Sequence, residues 1–129
     1  MQPIVEGRSC IIVDCHSFSS RPLPHEPDQD PARPDICIGT DAWHTPARLR
    51  DELVAAASAA GFSVLIDRPF AGALVPAKYY RREPTVRAVM VEINRRLYMD
   101  EQTGERLPNF GEIRQAVSEM LAVVGQYSQ

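Results

Sequence analysis

At 129 residues, 44% of them hydrophobic, the chain is long enough for one domain with its own core. With 24% charged residues and a net charge of −3 there is no dominant basic surface, which argues against a nucleic-acid partner. The longest apolar runs fall far short of a bilayer span, so no membrane association is expected. Met1–Gly7 lacks the basic-then-apolar order of a signal peptide. The three cysteines, Cys10, Cys15 and Cys37, are an odd number without CxxC spacing. They fit small buried apolar groups in a reducing cytoplasm better than a disulfide framework.

Residues 1–8 read as a loose lead-in. Ser9-Cys10-Ile11-Ile12-Val13 reads as a buried strand running to Cys15, with a polar end from Asp14 to Ser19. From Ser20 to Pro34 the chain is rich in Pro, Asp and Arg and has no period of 2 or 3.6, which predicts a long loop. Loops of this length are often functional. Asp35–Gly39 is a brief second strand. Thr45-Pro46 then gives a helix start, with Thr45 as N-cap and proline at the first helical position. That helix should run to about Ala60, burying Leu49, Leu53, Ala56, Ala57 and Ala60, and stop at Gly61.

Phe62–Asp67 reads as a strand and Arg68–Pro84 as irregular chain. Residues 85–94 are apolar on both faces, as in an interior strand of a covered sheet. Asp100–Pro108 is a turn. Asn109-Phe110-Gly111-Glu112 has the spacing of a capping box, opening a helix to about Val124 with an apolar face of Ile113, Val117, Met120, Leu121 and Val124. The order β, β, α, β, β, α predicts an α/β domain with one sheet covered by helices.

Two residues carry most of the chemistry. On the first strand Ile12, Asp14 and His16 share one face, and Val13 and Cys15 the other. His16 is either a neutral imidazole ligand for zinc or a strand-end histidine bonded to backbone. Asp14 is placed as a carboxylate behind it, or as a turn former. Glu92 lies within Val89-Met90-Val91-Glu92-Ile93, where an unpaired charge is costly. It either faces a cleft, as a general base, or pairs with Arg87, Arg95 or Arg96. Asn94, Arg95 and Arg96 follow, and an arginine there could grip a substrate carboxylate in bidentate fashion. His25 and Glu26 have no spacing that supports a metal role. His44 reads as a capping or surface residue.

Four stretches, in this order, resemble the N-formylglutamate amidohydrolase (deformylase) family. They are Val13-Asp14-Cys15-His16-Ser17-Phe18-Ser19, Pro34-Asp35-Ile36-Cys37-Ile38-Gly39-Thr40, Arg68-Pro69-Phe70-Ala71-Gly72, and Val91-Glu92-Ile93-Asn94-Arg95-Arg96-Leu97-Tyr98-Met99-Asp100-Glu101. The last is long and specific. An Asp-x-His-Ser strand end alone is shared with zinc carboxypeptidases and related amidohydrolases.

The resemblance implies a three-layer αβα zinc-hydrolase-like (carboxypeptidase/phosphorylase-hydrolase-like) fold, here truncated on the N-terminal side. It implies hydrolysis of N-formyl-L-glutamate to formate and glutamate, in histidine breakdown. By motif position His16 would be the last protein ligand of the zinc and Glu92 the carboxylate that activates water. Ser17, Asn94 and Arg95 would sit near the substrate. The family's other metal ligands, a histidine and an acidic residue, precede this strand. Here twelve residues precede Val13, and none is histidine. The chain is therefore expected to be a C-terminal portion or a shortened relative, with little or no activity alone. Two rivals follow: a related zinc enzyme acting on another N-acyl amino acid, and a non-catalytic remnant serving as a binding module. A sheet lacking its N-terminal strands is also expected to expose an edge and to self-associate.

Overall fold

The computed structural model describes residues 9–127; the lead-in expected over residues 1–8 lies outside them. The elements are β1 (Cys10–Phe18), β2 (Ile36–Gly39), α1 (Ala47–Ala59), β3 (Val64–Ile66), β4 (Val86–Asn94), a 3-10 turn (Arg95–Leu97) and α2 (Phe110–Gln126). The order is the expected β, β, α, β, β, α. No helix among the described residues is long and apolar enough to cross a membrane.

The four strands form a single mixed sheet in the order β1-β4-β2-β3. β1 runs parallel to β4, β2 parallel to β3, and β2 antiparallel to β4. β4 therefore lies in the interior, as its two apolar faces demand. β1 is longer than its apolar run and continues through Phe18, because β4 offers partners as far as Asn94. β3 is shorter than the apolar stretch around it, because β2 offers it only Ile36–Ile38.

Strand alternation divides the sheet into two unlike faces. Ile36, Ile38, Val89 and Val91 form a core with Leu49, Leu53 and Ala57 of α1 and Met120 of α2. Both helices thus cover that face. The other face carries Asp14 and His16 of β1, Met90 and Glu92 of β4, and Cys37 and Gly39 of β2, which the pairing register places side by side. It is met by loops, with the Cys37 thiol donating to Phe70 O at 3.1 Å. Among the described residues the helices form one layer, where the sequence resemblance implied two.

Gly39 sits where the loop crosses closely. A Cβ on it would lie 2.4 Å from Gly72 O and 2.5 Å from Met90 Cε. Methionine can swing aside, but a backbone carbonyl in a packed loop cannot. Gly39→Ala is expected to cost about 2 kcal/mol in urea denaturation. An unchanged midpoint would show that the loop at Gly72 moves freely.

Both expected helix caps are replaced by tertiary bonds. Thr45 does not cap α1: its hydroxyl donates to Ala88 O at 2.6 Å and accepts the Asp41 N–H. Asn109 does not close a capping box; its side-chain amide donates to Leu97 O instead. In each case a hydrogen bond to a neighbouring segment outcompetes the local one. Ala60 is exposed rather than part of the buried face, while Gly61 ends the helix at φ +91 as expected.

Candidate functional site

Glu92 is the centre of the loop-covered face. It is 7% exposed, in mid-strand between buried Val91 and half-buried Ile93. None of the three arginines suggested by the sequence reaches it within ion-pair distance. Arg96 pairs with Asp35 at 3.0 Å. Arg95 bonds Ser17, and Arg87 holds a buried Nη1 with no hydrogen-bond partner. Burial pushes the Glu92 carboxyl above the usual glutamate range. The imidazole of His16 works against that shift, and the Asp14 carboxylate adds to it. The cleft reading of Glu92 is the one this geometry matches.

His16 and Glu92 are direct partners in the β1–β4 register, so their side chains leave the sheet on one face. The Asp14 carboxylate, two residues back on the same face, takes His16 Nε2 at 2.7 Å. It orients the ring directly and is not a turn former. An Nε2–H donated to Asp14 leaves Nδ1 as the nitrogen with a free lone pair.

Cys37 flanks Glu92 on the other side, paired with it across β2–β4. Burial pushes this thiol up to about 11, so it stays protonated and unreactive at neutral pH. Cys15 is exposed, on the opposite face to His16, so it does not join a cluster with it.

Ser17 and Arg95 are brought together: Arg95 Nε donates to Ser17 Oγ at 3.1 Å and Nη2 reaches Ser17 O at 3.4 Å. Arg95 is also close enough to Glu92 to favour its charged form. Asn94 is fully buried, and both ends of its amide are engaged, with Nδ2 donating to Pro34 O and Oδ1 accepting the Arg96 N–H. As placed, it clamps the end of the long loop to the end of β4.

Glu26, His44 and His25 are placed outside this group. Glu26 accepts from Arg33 at 2.5 Å. Burial raises its carboxyl, but the Leu23 N–H and the Arg33 guanidinium outweigh this and hold it below the usual range. His44 is neither surface nor cap. It is buried, accepts the Arg81 N–H at Nε2 and meets Val86 O through Nδ1 at 2.7 Å. Both ring nitrogens therefore serve the fold. His25 is exposed.

No group of three or more His, Cys, Asp or Glu side chains arranged to hold a metal occurs among the described residues. One histidine with a carboxylate on its Nε2 is fewer donors than zinc sites use, so these residues do not complete a zinc site.

Nothing in the local pattern singles out Arg33. Its guanidinium lies between Phe18 and Phe70, 5.8 and 5.4 Å from the ring centroids. It also donates to Ser19 O and Asp28 O and pairs with Glu26. Phe18 and Phe70 meet edge to face at 5.6 Å. One buried cation thus orders the loop of residues 19–34 beside the Glu92 face. Only the proline-rich, arginine-bearing composition hinted at an ordered loop.

The sequence model of N-formylglutamate amidohydrolase matches residues 4–99. The chain belongs to the N-formylglutamate amidohydrolase family. The crystal structure of an N-formylglutamate amidohydrolase from Ralstonia eutropha JMP134 is similar in fold, with a TM-score of 0.74 over 92% of this chain and 21% sequence identity. The similarity covers 44% of that protein, so the present chain spans less than half its length. No curated protein matches the chain. All four stretches that resemble the family begin within the matched residues. The family assignment therefore covers β1 to β4, with Glu92 and His16 inside it.

Proposed function

We propose that this chain carries the general-base side of an amidohydrolase site that cleaves N-formyl-L-glutamate to formate and glutamate. The observation that carries the reading is Glu92: nearly buried, with no cation at ion-pair distance among the described residues, and in register with His16. A carboxylate whose proton affinity is raised by burial is suited to take a proton from attacking water at near-neutral pH. It then returns that proton to the amide nitrogen as the formyl carbon–nitrogen bond breaks. Arg95, braced by Ser17, is the cation available for a substrate carboxylate. Asn94 is assigned to holding the loop.

The family resemblance adds a zinc ion, to which this chain would bring His16, oriented by Asp14. The remaining donors would come from parts of the fold beyond the described residues. The same parts would supply the second helix layer of an αβα fold, over the face that now meets loops alone. The free cysteines support a reducing compartment such as the cytoplasm.

Titrating the 15N-labelled chain with N-formyl-L-glutamate, and separately with N-acetyl-L-leucine, tests the substrate reading by NMR. Shifts centred on His16, Glu92 and Arg95 with the formyl compound alone are expected. Equal shifts with both point to another N-acyl amino acid. No shifts with either favour the binding-module reading.

A further inference from the structure

Glu101 grips the end of β1 from the same segment that carries Arg95. It lies in a turn that closes through Leu107 N–H to Tyr98 O at 2.9 Å and Asp100 N–H to Glu105 O at 2.9 Å. The Asp100 carboxylate serves that turn, accepting the Gln102 and Thr103 N–H groups. The Glu101 carboxylate instead bridges 81 residues of sequence. It accepts the Ser20 N–H at 2.8 Å and the Ser20 hydroxyl, and the Ser19 hydroxyl bonds it as well. Burial raises the Glu101 carboxyl, but these serine donors and the charge of Arg95 outweigh it and hold the group below the usual glutamate range. Glu101 is thus fully ionised at neutral pH.

Ser19 and Ser20 follow directly on β1, and Ser17 within β1 bonds Arg95. Arg95 and Glu101 therefore hold one short stretch, residues 17–20. Arg95 also lies within reach of two carboxylate charges, since it favours the ionised form of both Glu92 and Glu101. A free guanidinium should choose Glu92. That carboxylate is nearly buried, where charges act on each other more strongly than in water. A charge-assisted bond is also roughly twice as strong as one to a neutral acceptor. Yet Arg95 rests on neutral acceptors, with Nε on Ser17 Oγ at 3.1 Å and Nη2 near Ser17 O at 3.4 Å. Those contacts alone do not outweigh an ion pair with Glu92. Glu101 supplies the opposing charge, and its hold on Ser19 and Ser20 keeps Ser17 where Arg95 meets it.

We propose that Glu101 is a positioning residue: it keeps the Arg95 guanidinium on Ser17 and out of an ion pair with Glu92. The cation can then meet a substrate carboxylate while Glu92 stays available to take a proton. Both of those roles belong to the hydrolase reading, on which this one rests, but the separation itself is observable without a substrate.

Side-chain 15N NMR of the 129-residue chain, at neutral pH and low temperature, tests it. The Arg95 Nε signal is assigned by its loss in Arg95→Lys. Glu101→Gln keeps an acceptor for the Ser20 N–H but removes the charge, and the Arg95 Nε signal should shift. Glu101→Asp restores the charge and should bring the signal part of the way back. The double variant of Glu101→Gln with Glu92→Gln leaves neither carboxylate to draw the guanidinium, so the signal should return close to its wild-type position. Unmoved backbone amides in β4 and α1 show that each variant is folded, and Glu101→Ala replaces Glu101→Gln should glutamine disturb the turn.

A clasp that only orders the loop would move the amides of Ser19, Ser20 and the 98–107 turn and leave Arg95 Nε in place. That result overturns the proposal, as does an Arg95 shift that Glu92→Gln fails to reverse. The affinity of the chain for N-formyl-L-glutamate, followed in the same spectra, should fall about tenfold in Glu101→Gln, the scale of one charge-assisted contact. If the wild type binds no N-formyl-L-glutamate while Arg95 moves and returns as expected, the substrate reading fails and the positioning by Glu101 stands.

Discussion

Glu92→Gln is expected to stabilise the chain at neutral pH by roughly 1 kcal/mol, as replacements of strained active-site groups commonly do. The gain should vanish in acid. Burial makes the folded state hold the Glu92 proton more tightly than the unfolded chain does. Between the ordinary glutamate value, about 4.3, and the raised folded value, the native state binds more protons. The wild type therefore loses stability as pH rises through that window. Glutamine has no such loss, so its advantage is complete above the folded value and absent below the unfolded one. Urea midpoints of both proteins across this range measure it. Parallel profiles would mean that Glu92 is solvated or paired in solution. Any hydrolysis of N-formyl-L-glutamate shown by the wild type should fall by about a hundred- to ten-thousand-fold in the same variant, the usual cost of removing a general base. A variant that is both more stable and less active separates a catalytic carboxylate from a structural one.

The second large effect belongs to Arg33. It is 5% exposed, and its Glu26 partner has a side chain only 10% exposed. Arg33→Met removes the cation, leaves the Glu26 carboxylate uncompensated and strips donors from Ser19 O and Asp28 O. A loss of about 3 kcal/mol is expected, the usual size for breaking one side of a buried pair. Methionine keeps much of the volume between Phe18 and Phe70, so the loss reports charge more than packing. The double variant with Glu26→Gln should recover a substantial part of it, because no buried charge then remains. Equal losses in the single and double variants would instead assign the effect to packing between the two rings. Proteolysis should strike first within residues 19–34 of the single variant, since Arg33 ties that loop to Phe18 and Phe70.

Element order, the interior position of β4 and the stop at Gly61 followed from local pattern. Apolar alternation and glycine conformation act over a few residues and need no knowledge of what packs beyond them. The caps did not follow. Thr45 and Asn109 have good local capping positions, yet each bonds a distant segment that a local reading cannot bring near. Glu92 and His16 stood out because a carboxylate in an apolar strand and a histidine at a strand end are costly or unusual in themselves. That they are adjacent was decided by the β1–β4 register, which depends on pairing across more than seventy residues of sequence. Arg33 was invisible for the same reason. An arginine in a proline-rich loop reads as solvated until the fold places two phenylalanines and a glutamate around it. The sequence by itself determined which residues could do chemistry and the family to which they point. Tertiary structure alone decided which of them meet, because only long-range packing could commit Asn94, Glu26 and His44 to the fold and set Glu92 beside His16 rather than in an ion pair with Arg87, Arg95 or Arg96.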